Sequence, residues 1–465
     1  MTLRHSRTAL FSLALLAGFV LAPQSQTSPL AVTPAQAVEE KMGPQVSSFF
    51  LDNGLQVVVI PDRRAPVVTH MIWYRAGSAD EPPGKSGIAH YLEHLMFKGT
   101  KNTANGEFSK RVSEIGGEDN AFTSTDYTGY FQRVTPSALE EMMALEADRM
   151  ENLILTDELI IPEREVVQEE RNSRIENNPG SMLGEAMRAT LYQNHPYATP
   201  VIGWEHEVNA LTKDDAIAFY DKFYTPNNAI LVVAGDVDAD TVKQLAQKTY
   251  GKVKRRAEPG IRKRPTEPAP RAARRVELED ARVKNPSFQR LYLVPSYNTA
   301  EAGEAEALEV LGELLGGGST SRLYTTLVID QKIATSAGSW YQGGALDETS
   351  FGFFGAPTQT TSLEEVEAAM DKVIAQLLEN GVTEFEVEKT KNRLIKQAVF
   401  AQDSQSTLAR IYGGSLVLGS TIEDIEAWPD RIKAVTTEAV DRAARKYLRK
   451  QRSVTGYLSP AKQEG

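Results

Sequence analysis

Two β-prone runs, Phe49-Phe50-Leu51 and Leu55-Gln56-Val57-Val58-Val59-Ile60, flank Asn53-Gly54, a pairing that predicts a hairpin. A further strand is expected over Val67 to Tyr74. Thr, Tyr and Phe alternate with polar residues from Asn120 to Arg133, which reads as more strand. The unbroken apolar run Ala229-Ile230-Leu231-Val232-Val233-Ala234-Gly235 predicts a short buried strand ending in a turn. Helical spacing marks a segment after Ser86, a candidate N-cap, that ends near Gly99. It also marks Ser137 to Asn152, Pro162 to about Asn177, and a helix from the N-cap Asp238 to Tyr250.

After residue 251 the pattern breaks. Residues 252–275 are basic and interrupted by Pro259, Pro265, Pro268 and Pro270, which predicts a linker. Beyond it the order repeats, with strands from Arg275 to Tyr297 and a helix from Glu304 to Leu315 that stops at Gly316-Gly317-Gly318. Aligning Gly318 with Gly99 sets Glu309, Gly312 and Glu313 against His90, Glu93 and His94. The repeat keeps the helix and loses the chemistry, as duplication followed by specialisation would leave it. The expected fold class is α+β, with two similar domains, each a mainly antiparallel sheet packed with helices. The expected boundaries are 44–251 for the first domain, 252–275 for the linker and 276–462 for the second domain.

Composition narrows what such a protein does. The 465 residues carry a formal net charge of −11, which argues against general nucleic-acid binding. Cysteine is absent, so disulfides and thiolate metal sites are excluded. Arg4 and Arg7 precede a short apolar run, Ala9 to Ala22, and Ala35-Gln36-Ala37 offers a small-x-small cleavage site. Residues 1–37 therefore read as a secretory signal peptide, with the periplasm as the expected location and no stable membrane anchor after cleavage.

The chain has six histidines, and two of them stand four apart around a glutamate in His90-Tyr91-Leu92-Glu93-His94. On a helix these three side chains share one face. Two imidazoles at that spacing can hold Zn²⁺ and leave Glu93 beside a metal-bound water. A third ligand is expected from another helix. In Glu163-Arg164-Glu165-Val166-Val167-Gln168-Glu169-Glu170 an inward stripe of Glu163, Val166, Val167 and Glu170 is expected. Glu170 is the expected ligand and Glu163, about two turns away, an auxiliary carboxylate. Glu165 and Glu169 fall off the stripe. His195 and His206 have no partner at ligand spacing and read as structural or surface residues.

The inverted order His-x-x-Glu-His followed by Glu170 resembles the pitrilysin family of metallopeptidases, the inverzincins. The resemblance extends through Gly84-Lys85-Ser86-Gly87, Leu95-Met96-Phe97-Lys98-Gly99-Thr100, Gly116-Gly117-Glu118-Asp119-Asn120-Ala121-Phe122-Thr123 and His195-Pro196-Tyr197. It implies zinc bound by His90, His94 and Glu170, water activated by Glu93, and support from Glu163. It also implies that Asn120, Ala121, Phe122 and Thr123 form an edge strand on which peptide substrates pair by β-augmentation.

One departure bears on partners. Members of that family that act alone carry an arginine and, seven residues on, a tyrosine that help hold substrate. The register through Ser321-Arg322-Leu323-Tyr324 places Val328 and Thr335 there. This chain resembles the zinc-bearing subunit of the short two-chain type. The Arg/Tyr pair is then expected on a related partner chain, with a homodimer as the alternative. A non-catalytic scaffold subunit of the same fold is the competing reading.

Overall fold

The computed structural model describes residues 45–461. The expected signal peptide and the outer limits at 44 and 462 lie outside the described residues. Among those residues no helix is long and apolar enough to cross a membrane.

Eleven strands form two sheets. They are β1 (Ser47–Phe50), β2 (Gln56–Pro61), β3 (Val68–Tyr74), β4 (Glu118–Thr123), β5 (Thr128–Val134) and β6 (Ala229–Gly235) in the first half. The second half holds β7 (Arg274–Glu279), β8 (Ser287–Val294), β9 (Ala334–Tyr341), β10 (Thr349–Pro357) and β11 (Ser453–Ser459). The strand orders are β1-β2-β6-β3-β5-β4 and β7-β11-β8-β10-β9. In the first sheet β2 runs parallel to β6 and the other pairings are antiparallel. In the second, β7 runs parallel to β11 and the rest are antiparallel. Without β1 the two sheets share one topology, as the sequence repeat implies. The fold class is two α+β units with mainly antiparallel sheets.

The apolar run Val57 to Ile60 is buried on both faces. Val57 and Val59 pack with helices of their own half. Val58 and Ile60 face the other way, with Met71, Trp73, Ile230 and Val232. That second face is covered by Leu408, Ala409, Tyr412 and Leu416 of the helix Gln405–Val417, which the second half contributes. The exchange is reciprocal. Leu183, Met187 and Leu191 of the first-half helix Pro179–Leu191 pack against Leu293, Val454 and Leu458 of the second sheet. Each half thus completes the other's core.

The linker is also more ordered than its composition predicts. Arg274 and Arg275 already belong to β7. Arg264 has a side chain only 5% exposed and pairs with Asp80 (3.0 Å), Asp126 and Asp347 (3.1 Å). Glu267 accepts the backbone amides of Gln193, Asn194 and His195. Proline and charge signal irregular backbone, but not the buried pairing that straps this segment across both halves.

Candidate metal centre

The helix Ile88–Leu95 carries His90, Glu93 and His94. It starts at Gly87 rather than at Ser86. Gly87 has φ +86°, and a Cβ there would stand 2.7 Å from the Ile202 carbonyl oxygen, so only glycine fits. With no side chain to cap the helix, remote carboxylates serve. Glu81 accepts the amides of Gly87 (3.0 Å) and Ala89 (2.9 Å), and Glu207 accepts that of Ser86 (2.8 Å). Both satisfy N–H groups at a positive helix end. Ile88, Tyr91, Leu92 and Leu95 anchor the opposite face in the core.

The helix expected from Pro162 instead begins at Asp157 and runs to Arg171, with Pro162 inside it. Thr156 supplies the extended turn, and Asp157 and Glu158 suit the first turn electrostatically. Pro162 sits on the exposed side, where water can satisfy the carbonyl its missing N–H would have bonded. The inward stripe also differs from the expected one. It is Ile160, Glu163, Val167 and Arg171, while Val166 is half-exposed and lines the cleft. Adjacent valines sit about 100° apart on a helix, so only one can face the core. Glu165 and Glu169 are exposed, as expected, and Glu170 lies on the shoulder facing His90 and His94.

His90, His94 and Glu170 offer ligand atoms that lie within 4.8 Å of one another. Glu170 Oε2 is 3.2 Å from His94 Nε2 and 3.6 Å from His90 Nε2. Two donors on one tetrahedral zinc stand roughly 3.3 Å apart, so this spacing suits the ion. Glu170 Oε2 is also buried without a hydrogen-bond partner, a cost that a cation removes. Two imidazoles and a carboxylate leave a fourth position open, the donor set of a catalytic zinc site.

Surrounding groups orient these donors. Glu163 Oε1 stands 2.9 Å from His94 Nδ1 and also pairs with Lys98. Holding the Nδ1 proton there leaves Nε2, on the side of Glu170, as the nitrogen that would bind a metal. Burial opposes a charged His94, but the Glu163 and Glu170 carboxylates outweigh it and push its pKa up to about 9. Burial, followed by the neighbouring His94, holds His90 down to about 4. Burial raises Glu93, opposed by a hydrogen bond donated by the Thr123 hydroxyl. A carboxylate raised toward neutrality is suited to exchanging protons.

The three donors and Glu93 open onto a cleft of about 1060 Å³. One wall is β4, the edge strand of its sheet, and Asn120, Ala121, Phe122 and Thr123 all line the cleft. The helix Pro179–Leu191 also lines it, through Ser181, Gly184, Glu185 and Arg188, and the second half contributes Gln289, Leu291, Trp340 and Gln342. His195 is buried away from the donors, with Nε2 3.2 Å from Asp347, and His206 is exposed. Val328 packs against the second core and Thr335 is exposed on β9. Neither lines the cleft. Glu309, aligned with His90, takes hydrogen bonds from Tyr297 and Trp428.

Three features escape the sequence reading. Lys98 neutralises Glu163, and its place four residues after His94 is the signal that points to it. Arg174 holds Glu170 Oε1 at 2.7 Å, four residues along the chain. The Thr123 hydroxyl reaches Glu93 from β4, a long-range contact that no local spacing encodes.

Residues 56–205 match the family described as insulinase (peptidase family M16), and residues 210–394 match the peptidase M16 inactive domain. The chain is 32% identical to the zinc protease PqqE of Helicobacter pylori, over 90% of this chain and 93% of that protein. The crystal structure of a protease from Helicobacter pylori superposes with a TM-score of 0.84 at 32% identity, covering 90% of this chain and all of that one. The periplasmic protease PqqL of Escherichia coli shares the fold, with a TM-score of 0.77 at 21% identity. This chain covers 48% of it.

Proposed function

The chain belongs to the insulinase-type peptidase family M16, and on that premise we propose that it hydrolyses peptides or small unfolded proteins as a zinc-dependent endopeptidase. The observation that carries this reading is the convergence of His90, His94 and Glu170 at one opening with Glu93. A zinc ion held there supplies Lewis acidity toward a peptide carbonyl and toward water. Glu93 takes a proton from the attacking water and returns it to the leaving amine, with Thr123 fixing the carboxylate in place. Glu163 and Lys98 hold His94 in its ligand orientation. The free edge of β4 pairs with an extended peptide through backbone bonds, so many sequences are accommodated alike.

The working enzyme is a dimer in which a related chain supplies the Arg/Tyr pair. Val328 and Thr335 stand in its place here and neither reaches the cleft. This chain covers 48% of PqqL, so that protein carries about as much chain again beside the matched unit. The N-terminal signal pattern supports a periplasmic location for the complex. The test is hydrolysis of a quenched peptide by this chain, alone and with the chain that co-purifies with it, with and without a zinc chelator. Chelator-sensitive cleavage that needs both chains is expected. Equal activity of the isolated chain would refute the shared site, and a purified complex without zinc or cleavage would favour a scaffold subunit.

A further inference from the structure

The cleft is almost neutralised from within. Glu185 is held by Arg171 through two bonds of 2.9 Å, Arg174 is taken by Glu170, and Asp126 by Arg264. Arg188 is the exception. It lies on the helix Pro179–Leu191, three residues beyond Glu185 on the stripe that lines the cleft. The alternate stripe, Leu183 and Met187, is buried against the second sheet and fixes the helix in place. Arg188 is exposed, and no carboxylate lies within ion-pair distance of it among the described residues. In a chain with 62 acidic residues against 51 basic ones, a cleft arginine without an acidic partner stands out. The second-half wall adds Gln289, Leu291, Trp340 and Gln342, none of them charged.

We infer that Arg188 is a specificity-determining residue that selects peptides carrying an acidic side chain where the substrate crosses this helix. The inference rests on the peptidase reading above. The guanidinium offers a planar donor fork that matches a carboxylate, in a cleft whose other charges are already spent. Water reaches the pair, so the preference is modest and salt-sensitive.

The test uses the complex as it co-purifies and quenched peptides in which Glu, Gln or Lys is placed at each position in turn. At one position Glu should exceed Gln by about fivefold in kcat/KM, with Lys poorer than both. That ratio should fall to about one in Arg188→Gln and invert in Arg188→Glu, and it should shrink as salt is raised. A Glu preference that is the same in all three enzymes, or absent from the wild type while the Gln peptides are cleaved, overturns the assignment of Arg188. Failure of every enzyme to cleave any peptide overturns the peptidase reading, and the assignment with it.

Discussion

Replacing Glu163 by alanine removes the carboxylate 2.9 Å from His94 Nδ1 and leaves Lys98 without its counter-ion. Partners that orient a ligand histidine are worth about ten- to a hundredfold in metal affinity, or about 1.4–2.7 kcal/mol. A second effect has the opposite sign. With His94 at about 9 in the metal-free protein, zinc must displace a proton at neutral pH, which costs roughly a hundredfold at pH 7. Glu163 sustains part of that raised value, so the alanine variant sheds the proton at lower pH. The full loss in affinity is therefore expected near pH 9, and a smaller loss at pH 7. Chelator competition at both pH values measures this directly. The wild type should gain about tenfold in affinity per pH unit across that range, and the variant less. Glu163→Gln, which keeps an acceptor for Nδ1–H, should fall between the two. Equal losses at both pH values, or none, would refute the idea that Glu163 acts through His94.

Other consequences follow from the packing and the ion pairs. In the exchanged helix Gln405–Val417, a Cβ on Gly413 would meet Trp73 Nε1 at 2.2 Å, whereas one on Gly414 meets nothing closer than 3.9 Å. Gly413→Ala should cost about 2 kcal/mol by overpacking and Gly414→Ala should stabilise by about 0.5–1 kcal/mol, both read by denaturant unfolding. Arg264→Ala leaves Asp80 and Asp126 buried without their main cation, at about 3 kcal/mol, and lysine should restore only part of that. Burial opposes ionisation of Glu386, but its two bonds to Arg322 (2.6 and 2.7 Å) outweigh this and hold it down to about 2. The folded value is depressed, so the pair stabilises above the unfolded carboxylate range and its contribution is lost as pH falls toward 2. Glu386→Gln should lose about 1–2 kcal/mol at pH 7, and the gap should close between about pH 5 and pH 2.

What the sequence revealed was local, and what it concealed was long-range. His90, Glu93 and His94 are legible because helical spacing alone puts them on one face. Glu170 emerges from helical phase, although the same reasoning turns Val166 inward when the structure turns it toward the cleft. Pro162 misleads because proline is tolerated inside a helix where its side faces water. The repeat is visible in element order, and the two sheets share one topology. Sequence order does not reveal that Gln405–Val417 covers the first sheet and Pro179–Leu191 the second, since both helices simply look amphipathic. The strap around Arg264 hides for a related reason. Its proline content signals a loop, and nothing nearby discloses carboxylates 83 to 184 residues away.

The central claim is that His90, His94 and Glu170 hold zinc while Glu93 moves the proton. Glu93→Gln in the complex tests it most directly, with zinc content and peptide hydrolysis measured on the same sample. The account predicts one zinc retained per chain, with hydrolysis reduced at least about a hundredfold. Hydrolysis at the wild-type rate, or loss of the metal together with activity, would contradict it.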